Sequence, residues 1–164
     1  MSVYAAYGLN LNSGQMLYRC PDACDLGMGQ LQNKALAFRL NRLAQTQATV
    51  DDQDDVFVPV RLWKMEPWDE ETLDHFEGRL LRPPIYRREN VIVETAKSAV
   101  EAFIYVLNET NAPYGVPLAS YADSVMRGYR ECGFDPEPIR LALRASGVEA
   151  ETFLNARYSG KTIR

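Results

Sequence analysis

The order of two apolar periodicities along the chain predicts an α+β fold, a curved or closed mixed sheet with helices gathered around it. Apolar residues alternate with a period of two through most of the first two thirds, the spacing of half-buried strands. One helical pattern interrupts them near residue 67, and from Leu118 the period lengthens to that of helices. At 164 residues the chain suits one domain, 1–164, whose tail from about residue 147 carries weak signals.

The first strand is expected over Val3–Tyr7, which is apolar or aromatic throughout, and Gly8, Asn10, Asn12, Ser13 and Gly14 then read as turn residues. Leu36, Phe38 and Leu40 alternate with Ala35, Ala37 and Arg39, so Leu31–Leu40 reads as a strand. A short strand at Gln47–Val50 precedes the acidic run DDQDD, read as a solvated turn, and Val56–Met65 alternates as the next strand. Pro59 within it has no N–H for a ladder, which points to an edge or a bulge. The stretch EPWDEETLDHFEG is a helix, with Pro67 and acids in its first turn and Gly78 as its stop. NVIVETA and EAFIYVLN are two strands close enough to pair. Leu118, Tyr121, Ala122, Val125, Met126 and Tyr129 recur at helical spacing up to Gly133. PEPIRLALRAS begins another helix, with Pro136 or Pro138 near its start, and the tail after Gly147 is expected to form a short helix and then fray.

Bulk properties narrow the function classes. A net charge of -4 argues against nucleic acid as the main partner. No apolar run approaches the length of a bilayer span, and the first residues lack the charged and apolar regions of a secretory signal. A reducing cytoplasm is therefore the expected location, and the odd number of cysteines, Cys20, Cys24 and Cys132, agrees. Cys20 and Cys24 lack a second ligand pair and His75 is the only histidine, so no metal site is expected. No Gly-x-Ser-x-Gly elbow, Walker loop or dinucleotide fingerprint is present.

Among the side chains left, Glu77 carries the most chemistry. It lies against the negative end of a helix dipole, three residues after Asp74 and next to Phe76, an arrangement that raises a carboxyl pKa. Such a group is suited to general-base work, although a carboxylate facing water at a frayed helix end has the same local sequence. Arg79, Arg82, Arg87 and Arg88 surround Tyr86 in a proline-stiffened loop that suits an anion, or simply a solvated loop balancing the preceding acids. Of the helical tyrosines, Tyr129 reads as core with its hydroxyl satisfied at the rim, and Tyr121 is placed to line a pocket.

Taken in order, these segments resemble the gamma-glutamylcyclotransferase-like superfamily, including its gamma-glutamylamine cyclotransferase branch. The resemblance runs from Val3 to about Asp135. YAAYGLNL corresponds to the family's Tyr-x-x-Tyr-Gly-Ser-Asn-x, and RCPDA (Arg19 to Ala23) to its Arg-x-Pro-x-Ala segment. ATV with VFVPVRLWKM looks like the middle strands, LDHFEG matches Leu-Asp-x-x-Glu-Gly, and IYRRENVIV resembles the following tyrosine-bearing strand. In PLASYADSVMRGYRECGF, Pro117, Tyr121, Gly128 and Gly133 fall at the family's spacing. Two departures are evident: Leu9 stands where the family has serine, and the spacer from Glu77 to Tyr86 is slightly longer.

The resemblance implies a small twisted mixed β-barrel with peripheral helices, a soluble monomer or homodimer, no cofactor and no metal. It also implies cyclisation of a gamma-glutamyl amino acid or amine to 5-oxoproline with release of the amine, chemistry of the kind met in glutathione metabolism. Glu77 would be the catalytic acid/base. Tyr4, Ala5, Ala6, Tyr7, Gly8 and Leu9 would form the loop whose backbone holds the glutamyl head and developing oxyanion, and Tyr86 and Tyr121 would orient the substrate. The alternatives are a catalytically idle barrel that binds a small anionic metabolite through this loop and the four arginines, or an interaction domain using the Arg/Pro loop.

Overall fold

The computed structural model describes residues 1–155. In chain order it contains β1 (Ser2–Ala6), a 3-10 turn (Leu9–Leu11), α1 (Ser13–Arg19), β2 (Cys24–Leu40) and β3 (Thr46–Met65). Then follow α2 (Pro67–Phe76), β4 (Tyr86–Glu94), β5 (Ala99–Leu107), α3 (Ala119–Cys132), α4 (Glu137–Ala145) and α5 (Ala150–Asn155). The expected short C-terminal helix is α5; the expected fraying falls on 156–164, outside the described residues.

The strands close into a barrel in the order β1-β3-β2-β4-β5. Pairing is antiparallel except where β1 meets β5 in parallel, at Tyr4 and Phe103. The architecture is thus the α+β mixed barrel with peripheral helices. Among the described residues no helix is long and apolar enough to cross a membrane.

Apolar residues on both faces of β1 and β5 explain why neither strand shows a polar side. Ala5 and Tyr7 join Ala102, Ile104 and Val106 in one core cluster, to which α3 and α4 add Val125, Tyr129, Ile139 and Leu143. Tyr4 and Ala6 join Phe103, Tyr105 and Leu107 in a second cluster closed by Met16 and Cys20 of the α1 region and Leu73 of α2. A strand covered on both sides reads as a continuous apolar run. Pro59 pairs only toward β2, opposite Gln30, because β1 ends at the Ala6–Arg61 pair; the strand has a local edge there, as its missing N–H requires.

Three local expectations are corrected. β2 begins at Cys24 rather than Leu31, because its solvent-facing first half pairs with the inner end of β3 despite having little apolar alternation. The acidic run is not a turn between two strands: β3 continues through it, and the ladder passes from Lys34–Asp52 to Gln32–Phe57 while residues 53–56 bulge out. Asn33 and Asp55 take positive φ there, the Asn33 side chain accepts from the Asp55 N–H at 3.1 Å, and Lys34 pairs with Asp52 at 2.7 Å. The segment after Gly8 is not merely a turn, since it forms the 3-10 turn and then α1, with Asn12 capping α1 by accepting from Gln15 N at 3.1 Å.

Candidate active site

Glu77 is placed by the end of α2. Pro67 occupies the first turn without loss, Asp69 and Glu70 face the positive helix end, and Glu77 is the C-cap, its N–H donating to Leu73 O at 2.9 Å. Gly78 then turns the chain at φ +65°, and a Cβ on it would come within 2.9 Å of Ile85, so the stop has both conformational and steric reasons to be glycine. Phe76 is 48% exposed and sits at the rim of the cavity.

The Glu77 side chain points into a small cavity of about 60 Å³ lined by tyrosines 4, 7, 86, 105 and 121, by residues 8–10, and by Arg19, Gln47, Ala48 and Phe76. Glu77 Oε1 accepts from Asn10 Nδ2 and from Arg19 Nη1, both at 3.2 Å. Asn10 ties the site together. Its Nδ2 also reaches Tyr4 Oη at 3.1 Å, its Oδ1 accepts from Arg19 at 3.3 Å, and its backbone carbonyl accepts from Trp63 Nε1 at 3.0 Å.

Burial holds the Glu77 carboxyl above the usual carboxylate range, and Arg19 and Asn10 pull it down while Asp74 adds a smaller upward push. Of the anticipated causes, burial beside apolar groups is the larger and Asp74 the smaller. Asp74 is itself occupied, accepting from Arg79 at 2.9 Å, Arg88 at 2.9 Å and Tyr105 Oη at 2.6 Å. Burial likewise raises the hydroxyls of Tyr4, Tyr7 and Tyr86, and that of Tyr121 to about 12, so all four are protonated donors at neutral pH.

The other predicted site residues divide. Tyr4, Tyr7, Gly8, Leu9, Tyr86 and Tyr121 meet at the cavity, whereas Ala5 and Ala6 are fully buried in the two cores and do not line it. Tyr86 Oη donates to Ala48 O at 2.5 Å and Tyr121 Oη accepts from Ala48 N at 2.9 Å, so one β3 residue positions both rings. Tyr7 Oη donates to Tyr105 O. Tyr129 is core as expected, but its hydroxyl has no partner among the described residues.

The arginine cluster does not reach the cavity. Arg79 and Arg88 hold Asp74, Arg88 also pairs with Glu70 at 2.7 Å, Arg87 pairs with Glu89 at 3.0 Å, and Arg82 donates to the carbonyls of Leu80 and Leu81. Among the described residues the cation at the cavity is Arg19, which the sequence alone did not single out, nor did it single out Asn10. Both lay inside the motif segments quoted above, but nothing local tied either to Glu77.

The family model that matches the chain is that of the AIG2-like family, over residues 55–138, about half of its length. No curated protein sequence matches it significantly. Solved structures with a similar fold include an uncharacterized protein from Homo sapiens, 22% identical, covering 90% of this chain and 88% of that one with a TM-score of 0.72. A protein named gamma-glutamyl cyclotransferase is 20% identical, with 97% and 99% of the two chains covered and a TM-score of 0.72. A yeast gamma-glutamyl cyclotransferase specific to glutathione is 11% identical, with 89% and 95% covered and a TM-score of 0.57.

Proposed function

The chain belongs to the AIG2-like family, within the gamma-glutamylcyclotransferase-like superfamily, and from that premise we propose that it cyclises a small gamma-glutamyl amine or amino acid to 5-oxoproline. The observation that carries the reading is Glu77, a carboxylate 14% exposed, raised in proton affinity by burial and aimed into a cavity lined by tyrosines.

A buried carboxylate of raised pKa suits removal of a proton from the substrate's α-ammonium. The freed amine attacks the gamma-carbonyl carbon of the same molecule, forming the ring C–N bond and placing negative charge on the carbonyl oxygen. The intermediate then expels the leaving nitrogen, breaking the original amide bond. Two protons pass from the α-nitrogen to the leaving nitrogen through Glu77, the lactam keeps the third, and the carboxylate is regenerated. Nucleophile and electrophile belong to one molecule, so the walls of the cavity work mainly by folding the substrate into its reactive shape. The loop at Gly8 and Leu9 is the proposed holder of the glutamyl head and the developing oxyanion, and contact through backbone would make the side chain at Leu9 immaterial to that role.

The test is incubation of the purified protein with a panel of gamma-glutamyl amines and dipeptides, with 5-oxoproline and the released amine quantified together. Equimolar appearance of both supports the reading. Ligand-induced thermal stabilisation with no product from any of the panel overturns it in favour of an idle binding barrel.

A further inference from the structure

We propose that Arg19 is the receptor for the substrate's α-carboxylate, so that binding exchanges the Arg19–Glu77 pair for the two charges of an α-amino acid head group. The inference rests on the cyclisation reading and adds what that reading leaves open, the feature by which a gamma-glutamyl compound is selected.

Among the described residues that line the cavity, Arg19 and Glu77 are the two that carry charge. Their side chains are 13% and 14% exposed, with the contacting atoms 3.2 Å apart. A gamma-glutamyl compound carries an ammonium and a carboxylate on one carbon, a matching pair of opposite charges at short range. Cyclisation requires the ammonium at Glu77, which sets the carboxylate beside Arg19. If the ammonium took Glu77 and nothing replaced it, Arg19 would be left as a nearly buried charge without a counterion, an expensive arrangement. The substrate's own carboxylate removes that cost.

The guanidinium is held ready for the exchange. It lies over the Phe76 ring, 5.0 Å from its centroid. With the Gln15 amide oriented by the network, its oxygen accepts from Arg19 Nε at 3.0 Å and Nη2 at 3.1 Å from within α1. Nη1 makes the contacts that change, to Glu77 at 3.2 Å and Asn10 at 3.3 Å. Both are longer than charge-assisted N–H···O bonds usually are, so a carboxylate approaching the same atom forms a better one. The four arginines of residues 79–88 are held by Asp74, Glu70, Glu89 and backbone carbonyls outside the cavity and offer no competing receptor.

The test compares a gamma-glutamyl amide with the corresponding 4-aminobutanoyl amide, which lacks only the α-carboxylate and would cyclise to 2-pyrrolidinone with release of the same amine. The parent protein is expected to favour the carboxylate substrate in kcat/KM by about 10- to 100-fold, the range for loss of a charge-assisted partner. In Arg19→Ala that preference collapses toward unity through a higher KM for the gamma-glutamyl amide, and Arg19→Lys restores part of it. Circular dichroism melts identify a variant that fails to fold, and Arg19→Lys then carries the comparison. Equal slowing of both substrates in Arg19→Ala, with the preference intact, overturns the inference and leaves Arg19 only positioning Glu77. If the parent forms neither lactam, the cyclisation reading falls and this inference with it.

Discussion

Replacing Gly128 with alanine tests how the site is held rather than what it does. Gly128 lies on the side of α3 that meets the 3-10 turn, where a Cβ would stand 2.4 Å from Leu11 Cβ and 2.9 Å from both Leu11 C and Asn12 N. Carbon atoms pack at about 3.5–4.0 Å, so α3 and the turn must separate by about 1 Å. Two of the three obstructing atoms are backbone, which no rotamer change relieves. Overpacking of this kind costs about 1–3 kcal/mol, or a Tm drop of about 3–10 °C for a domain of this size. The displaced turn carries Asn10, the residue that joins Glu77, Arg19 and Tyr4. A misplacement near 1 Å costs about 100-fold in rate. Thermal melts and 5-oxoproline turnover below the transition read the two effects separately. Gly29→Ala is the control: its Cβ would meet Val93 at 2.5 Å and Glu94 O at 2.8 Å at the β2–β4 seam, so it should lower Tm without a comparable loss of turnover. Parental Tm together with parental turnover in Gly128→Ala would mean that the α3–turn contact neither resists the methyl nor positions Asn10.

Three further outcomes follow from the same geometry. Because burial raises the Glu77 carboxyl, the folded protein binds that proton more tightly than the unfolded chain, and stability is lost as pH rises from the ordinary carboxylate range, about 4.3, through the raised value. Glu77→Gln should therefore melt higher than the parent near pH 7, with the difference vanishing below about pH 4 in a pH series of melts. Asn10→Ala removes a donor that lowers the Glu77 pKa, so the acid limb of the kcat/KM–pH profile should move to higher pH; it also strips the buried Tyr4 hydroxyl of a partner, at about 1–3 kcal/mol in denaturant unfolding. Arg88→Ala should destabilise by about 2 kcal/mol by leaving Asp74 and Glu70 undercompensated, yet leave KM unchanged when turnover is measured below its melt.

The parts of the structure readable from sequence are those where periodicity and punctuation coincide. Pro67, the first-turn acids and Gly78 delimit α2, and the helical spacing from Tyr121 to Tyr129 with Gly133 delimits α3. α1 escaped because seven residues give no sustained period and Ser13-Gly14 looks like a turn; the available signal was Asn12 as cap, with Met16 and Cys20 four apart and fully buried. Arg19 and Asn10 escaped for a different reason. They lie 58 and 67 positions from Glu77, and only closure of the barrel brings them to it. The arginines at 79–88 are dense in sequence, but the partners that satisfy them, Glu70, Asp74 and Glu89, are set by the packing of α2 against β4 and β5 and by β4 itself.

The most direct test of the account is single-site: 5-oxoproline formation from a gamma-glutamyl substrate that the parent turns over, compared with Glu77→Gln at matched folded concentration. The amide preserves shape and can still accept from Arg19 and Asn10, but it cannot take up the ammonium proton. If Glu77 is the proton acceptor, kcat falls by about 100-fold or more with the fold intact. Parental turnover in Glu77→Gln would contradict that role.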